Sequence, residues 1–123
     1  DIMYAERAGV VDACREKGIL AFGNVNDMNK EENGTDVVVT SALWHMESAI
    51  NHAISLTKAG NFKAEEYHHW TMMAKGGASL APYYEFEDKV PGSVKSQVAS
   101  LASDITAGKF TVEIIDSEPK STF

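Results

Sequence analysis

The sequence has one cysteine, few basic residues and no long hydrophobic run. Its 123 residues include 11 lysines and arginines against 18 aspartates and glutamates, for a formal net charge of −7. Because the basic residues form no cluster, we expect neither nucleic acid nor an anionic membrane surface as a partner. The lone Cys14 excludes a disulfide within this chain and is expected as a buried structural thiol. No apolar run approaches the roughly 18 residues that a membrane helix needs, so we expect one globular unit.

The first part of the chain alternates β and helical patterns. Residues 1–3 look like the end of a strand, and residues 4–17 carry apolar side chains at helical spacing. Short apolar runs predict strands at 19–22 and 37–40, with a polar surface loop at 24–36 between them. This strand–helix–strand opening is typical of a parallel sheet in an α/β protein.

The second part begins with a long amphipathic pattern. Ser41 is predicted to cap a helix that ends at Gly60. The bulky residues of 67–73 predict a strand, and the apolar spacing of 92–107 predicts a helix. A final strand is predicted at 110–115, before a polar tail.

The downstream ends of the first two predicted strands carry candidate binding residues. Asn24 and Asp27 follow the first strand, and Trp44 follows the second. In open α/β sheets, ligands bind at the carboxyl ends of the strands. A carboxylate, amides and an indole at one edge can hydrogen-bond and stack on a small, flat, polar ligand. Glu6 is expected at the same edge, either as a ligand contact or in an ion pair with Arg7.

A double glycine, Gly76-Gly77, follows the predicted strand at 67–73. It would either let the backbone approach a ligand closely or simply form a turn. Phosphate binding is not indicated, because the surrounding residues match neither a Walker pattern nor a dinucleotide fingerprint.

No metal centre or catalytic centre is predicted. His45 and His52 are seven residues apart, whereas helical metal ligands usually sit three or four apart. The adjacent pair His68-His69 would point to opposite faces of a strand. Neither a nucleophile elbow nor a Cys–His pairing is evident. We therefore expect a binding protein without a cofactor rather than an enzyme.

These residues also carry a family resemblance that spans nearly the whole chain. Phe22-Gly23, Asn26-Asp27 and Val39-Thr40-Ser41 resemble the basic membrane protein family of bacterial solute-binding lipoproteins. In that family a strand ending in Ile-Gly, followed by Asp-Ser-Asp, leads to a Leu-Thr-Ser strand end and a long helix. Similar runs continue at Gly60-Asn61-Phe62, at 76–82, at Val90-Pro91 and at 105–112.

The resemblance implies a type I periplasmic binding protein fold, a three-layer sandwich with a mostly parallel sheet in each of two lobes. Residues 1–36 would belong to the second lobe, 37–61 would cross the hinge and include a helix of the first lobe, and 62–123 would be return segments. The chain would then be the C-terminal part of a longer protein, in keeping with its start at Asp1. Export to the periplasm or cell surface is implied, with membrane contact only through a lipid anchor outside this chain.

The family's ligands are purine nucleosides, delivered to the permease of an ABC importer. We therefore expect a purine base or nucleoside, and a permease, as partners. Asp27 matches the retained family carboxylate, and Val25 replaces the first acidic position. Trp44 stands where the family has a lysine resembling a ribose-binding group, so an indole would fill the ribose space. A free base such as adenine is thus favoured over a nucleoside. Glu6 and Asn24 would line the polar rim, and Gly77 would allow backbone approach.

Two other classes of protein stay open from the sequence. A cytoplasmic regulator could use the same two-lobe domain to sense a ligand, and would need a DNA-binding or signalling segment upstream. A small α/β enzyme of unknown reaction is the third class. An export signal with a lipobox cysteine would favour the receptor, and turnover of candidate purines would favour the enzyme.

Overall fold

The computed structural model describes residues 7–31 and 33–112, apart from the side chain of His68. In these ranges three strands form one sheet in the order β1-β2-β3. The strands are β1 (Ala21–Val25), β2 (Val38–Trp44) and β3 (Ala78–Leu80). β1 runs parallel to β2, whereas β3 runs antiparallel to it. The predicted α/β class is confirmed, with a mixed sheet.

The described ranges also contain four α-helices. The helix stop predicted at Gly60 is confirmed, and α-helices also end just before Gly18 and Gly108. Gly18, Gly60 and Gly108 adopt φ of 64°, 69° and 70°, where glycine meets no steric penalty. The helices are α1 (Arg7–Lys17), α2 (Met28–Glu31), α3 (Glu47–Lys58) and α4 (Gly92–Thr106), and short 3₁₀ turns cover His68–Thr71, Met73–Lys75 and Tyr84–Phe86. None of these helices is both long and apolar enough to cross a bilayer.

The core lies between α1, α2 and one face of the sheet. Cys14 is buried there, as predicted from its helical spacing. Removing these side chains from water drives the association of α1 with the parallel strand pair. The buried cluster consists of Val11, Cys14, Ala21, Met28, Val37 and Val38.

A bidentate ion pair ties the end of α1 to the start of β2. The Nε and Nη2 atoms of Arg15 donate to the two carboxylate oxygens of Asp36, at 2.5 and 2.9 Å. The hydrogen bond from Arg15 lowers the pKa of Asp36 below its usual value. Nη2 also donates to the carbonyl oxygen of Asn33 at 2.8 Å, so Arg15 fixes the loop that connects α2 to β2.

The predicted helix cap at Ser41 is wrong. β2 continues through Ser41 to Trp44, because residues 42–44 pair with β3, and α3 starts only at Glu47. The Ser41 side chain is 0% exposed, and its Oγ accepts a hydrogen bond from the backbone N–H of Met28. Met28 is the first residue of α2, a short helix inside the segment 24–36 that the sequence predicts as a loop. This second prediction is therefore also corrected.

Two predicted strands near the C-terminal end are also corrected. Residues 68–71 and 73–75 form 3₁₀ turns instead of a strand, and Trp70 stacks on His52 of α3 with ring centroids 4.1 Å apart. Residues 110–112 form no strand, while 113–115 lie outside the described residues, as does the strand end expected at 1–3. The helix predicted at 92–107 is confirmed as α4.

Both long helices of the second part expose their apolar side chains. Neither α3 nor α4 has a buried residue. Ile50 and Ile54 of α3, and Val94 and Leu101 of α4, are each more than two-fifths exposed. Their helical spacing was predicted correctly, but the described residues cover these side chains only in part.

Candidate functional site

The parallel pairing of β1 and β2 brings their carboxyl ends to one edge of the sheet. Val25, the last residue of β1, is in register with Leu43, one residue before the end of β2. Asn24 is in register with Ala42. Because side chains alternate along a strand, Asn24, Ala42 and Trp44 lie on the same face. Two of the predicted site residues, Asn24 and Trp44, thus lie on one face near this edge.

A tight, strained turn follows β1 and carries the chain to Asp27. Val25 has φ of 73°, and the N–H of Asn26 donates to the carbonyl oxygen of Asn24 at 2.9 Å. This i to i+2 bond forms a γ-turn, a rare and strained conformation for a β-branched residue. The Asn24 side-chain oxygen accepts from the N–H of Val25 at 2.9 Å and supports the turn. Strain of this kind, about 1–3 kcal/mol, tends to be kept at functional sites.

Asp27 presents a carboxylate that is only partly satisfied. Its Oδ2 accepts a hydrogen bond from the Tyr84 hydroxyl at 2.5 Å, and the Lys30 ammonium lies 3.6 Å away. Its Oδ1 is buried and has no hydrogen-bond partner among the described residues. The side chain is 16% exposed. A buried carboxylate oxygen without a donor is costly, so this group favours an added N–H or O–H donor.

Tyr84 is the functional candidate that the sequence did not reveal. It lies 57 residues from Asp27 along the chain, and its φ of 46° is unusual for a residue other than glycine. Hydrogen bonds from Ala81 N–H to the Ser41 carbonyl (2.8 Å) and from Thr40 Oγ1 to the Ala81 carbonyl (2.7 Å) hold its segment against β2. No sequence signal marks a tyrosine that adopts positive φ.

Lys30 lies beside both groups. Its Nζ is 5.4 Å from the centre of the Tyr84 ring. The pKa of Lys30 is raised, first by its hydrogen bond with Tyr84 and then by electrostatic interaction with Tyr84 and Asp27. Its side chain is largely exposed, so the cation stays charged at neutral pH and gives the cluster a balanced local charge.

Trp44 offers an open aromatic surface at the end of β2. Its side chain is 57% exposed, and its backbone pairs with Ala78 of β3. The next residue, His45, is fixed through a 2.7 Å contact between its Nε2 and the Ser79 hydroxyl. The backbone under the indole is therefore held in place while the ring itself is free to stack.

Close packing against neighbouring backbone explains why residue 77 is a glycine. A Cβ placed there would lie 2.2 Å from the carbonyl oxygen of Trp70 and 2.4 Å from Thr71 Cα. Its own carbonyl oxygen accepts the N–H of His45 at 2.8 Å. Close contact with protein backbone thus accounts for this glycine, in line with the turn alternative. Glu6, the remaining predicted site residue, lies outside the described residues.

A second concavity lies between the sheet and α4. It measures about 470 Å³. Its walls would leave the polar edge of a heterocycle without partners, so this groove fits apolar atoms better than a polar ligand. Its lining includes Leu20, Phe22, Leu80, Phe86, Val94 and Val98. Within 7–31 and 33–112, no group of three His, Cys, Asp or Glu residues is placed to hold a metal ion.

The fold and the sheet edge together define an α/β domain with a candidate small-molecule site at the carboxyl ends of parallel strands. Comparison with protein-family models gives no match, and comparison with curated proteins gives none. A solved structure described as a transcriptional activator of the comK gene from Bacillus halodurans is similar, with a TM-score of 0.62 and 24% sequence identity. The likeness covers 84% of this chain but 34% of that one. The chain therefore spans about a third of the neighbour's length, and the likeness shows a shared fold.

Proposed function

We propose that this chain is part of a non-enzymatic, two-lobe solute receptor of the type I periplasmic binding protein class. A purine-like ligand would bind at the carboxyl edge of the sheet and be delivered to the permease of an ABC importer. The observation that carries this proposal is the incompletely satisfied, 16% exposed carboxylate of Asp27, in the turn that follows β1. The downstream end of β1 lies at the same sheet edge as that of β2, where Trp44 is exposed. Such a receptor works outside the cytoplasmic membrane, held there by a lipid anchor outside this chain.

The chemistry of the edge suits a neutral, flat heterocycle. A ring N–H or amino group can donate to the Asp27 carboxylate, whereas an anionic ligand would be repelled by it. An indole face can stack on the ring, which is worth about 1–3 kcal/mol in nucleic-acid binding proteins. Trp44 offers a single N–H donor and no charge, so it suits a base better than the hydroxyls of a ribose.

The exposed apolar stripes support a longer, two-lobe protein. Ile50 and Ile54 on α3, and Val94 and Leu101 on α4, are each more than two-fifths exposed, and exposed apolar helix faces often mark an interface. The structural neighbour is about three times as long as the part that this chain matches. Under the proposal, further parts of the two lobes cover these helices, and residues 37–61 cross between the lobes.

Removing the charge of Asp27 should weaken purine binding. In the full-length protein, we expect Asp27→Asn to lower the affinity for adenine by roughly tenfold to a hundredfold, because a charge-assisted hydrogen bond is lost. Calorimetric titration with adenine, guanine, adenosine and inosine measures this. Asp88→Asn, an exposed carboxylate, is the matched control and should bind like the wild type. If the wild-type protein binds no purine, the proposed ligand class is wrong.

Exchanging the indole for an ammonium should change the ligand preference. We expect Trp44→Lys to weaken adenine binding at least about fivefold through lost stacking, and to shift the preference toward adenosine. Phe62→Lys makes a similar exchange on an exposed ring of another segment and should leave the adenine-to-adenosine ratio unchanged. An unchanged ratio in Trp44→Lys would show that the indole does not line the ligand site.

One observation favours a regulator as the second candidate. The structural neighbour is described as a transcriptional activator. In a regulator, the same sheet edge would sense the ligand inside the cell, and no permease would be involved. Cell fractionation of the full-length protein separates the two candidates, since the receptor is expected outside the cytoplasmic membrane. An upstream helix-turn-helix would favour the regulator, and conversion of a bound purine would favour an enzyme.

A further inference from the structure

The Tyr84 hydroxyl already donates a hydrogen bond to the Asp27 carboxylate, which the proposed ligand would need as its acceptor. Its 2.5 Å bond to Asp27 Oδ2 falls at the short end expected for a hydroxyl that donates to a carboxylate. The other oxygen, Oδ1, is buried. A ligand therefore reaches the carboxylate only from the side of Oδ2, or after the carboxylate turns about its Cβ–Cγ bond. Both routes involve the contact that Tyr84 makes.

Tyr84 is held in this position against its own backbone preference. A φ of 46° is costly for a residue with a Cβ, and persists only where the surroundings enforce it. Phe86 is 5% exposed and anchors the same 3₁₀ turn, while Tyr83 lines the apolar groove beneath it. The turn is thus anchored on both sides of Tyr84. The hydrogen bond to Asp27 offsets part of the free-energy cost of the positive φ at Tyr84.

We propose that Tyr84 is an internal substitute for the ligand, and that binding exchanges its hydroxyl for an N–H donor of the ligand. This inference rests on the proposed function and adds a selection rule to it. The contribution of Asp27 to the affinity is then the difference between two hydrogen bonds, so a ligand without a donor able to replace a phenol hydroxyl gains nothing from this carboxylate. Neutral heterocycles with a ring N–H or an exocyclic amino group meet this rule.

Removing the hydroxyl gives the test. Tyr84→Phe keeps the ring and removes the competing donor, so we expect adenine to bind the full-length protein roughly three- to thirtyfold more tightly. Tyr83→Phe removes a hydroxyl from the neighbouring tyrosine, which makes no hydrogen bond to Asp27, and should change the affinity less than about twofold. A residue that merely positions the carboxylate gives the opposite sign, because its loss weakens binding.

A second measurement uses the wild-type protein. With the tyrosines labelled at Cζ, the carbon-13 resonance of Tyr84 should shift when adenine saturates the protein, whereas that of Tyr83 should not. The inference is overturned if the affinity falls or stays the same in Tyr84→Phe, or if the Tyr84 resonance does not move. In either case, adenine binding by the wild-type protein leaves the proposed function standing. A wild-type protein that binds no purine overturns the proposed function and the inference together.

Discussion

Gly77→Ala is expected to lower the free energy of unfolding by at least about 4 kcal/mol, which is a large share of the stability of a small domain. The added Cβ would lie 2.2 Å from the carbonyl oxygen of Trp70 and 2.4 Å from Thr71 Cα and C. These are backbone atoms, so no side-chain rotation relieves the clash. Gly77 is also fixed on both sides, because its N–H donates to Met72 and its carbonyl accepts from His45.

Urea unfolding of the full-length protein, followed by circular dichroism, measures this loss. Gly9→Ala is the matched control, since nothing lies within 4 Å of its added Cβ and alanine favours α1 by up to about 1 kcal/mol. A loss below about 1 kcal/mol in Gly77→Ala would contradict the close contact between the two backbone segments. Because the clash already explains the glycine, loss of ligand binding in this variant would not assign Gly77 to the site.

Local patterns predicted the parts of the fold that depend on local chemistry. The spacing of apolar residues and the glycine after them located α4 within one residue of its observed end at Thr106. The β-branched run at 37–40 located β2, and the rule for strand ends then placed Asn24 and Trp44 at one edge. These predictions succeed because helix periodicity and strand alternation are properties of the segment itself.

Contacts between distant segments determine the parts of the fold that local patterns did not predict. Ser41 resembles a helix cap in the sequence, yet β3 pairs with residues 42–44 and keeps the chain extended past it. The aromatic residues at 67–73 have high strand propensity, but Trp70 finds its partner in His52 of α3 and the segment turns instead. Propensity is a weak guide wherever such tertiary contacts compete with it.

The candidate site also combines residues that the sequence predicts with residues that it does not. Asp27 could be predicted because a carboxylate after a β run is visible in the sequence. Its partner Tyr84 could not be predicted, because it is 57 residues away and because tyrosine, unlike glycine or asparagine, gives no sequence signal of a positive φ. The strained turn at Val25 is hidden for the same reason. Strained backbone beside an incompletely satisfied carboxylate is a property of the assembled structure.

Gly23→Ala should also destabilise the protein strongly, by about 2–4 kcal/mol. The new Cβ would lie 2.2 Å from Ser41 Oγ, 2.9 Å from Ser41 Cβ and 3.0 Å from Met28 Cγ. Ser41 is fully buried, and its Oγ accepts the N–H of Met28 at 3.2 Å, so the hydroxyl cannot move without leaving a buried donor unpaired. Gly23 therefore sets how closely β1 and β2 approach just before the turn that leads to Asp27.

A double-mutant cycle with Ser41→Ala makes this prediction specific. Ser41→Ala alone costs the hydrogen bond to Met28, but in the double variant it also removes the 2.2 Å contact, so the combined loss should fall short of the sum by more than about 0.5 kcal/mol. Urea unfolding of the four proteins gives the coupling free energy. Additive losses would mean that the two side chains do not meet. Coupled losses would show that the spacing of the two parallel strands, on which the geometry of the sheet edge depends, is set by the absence of a side chain at Gly23.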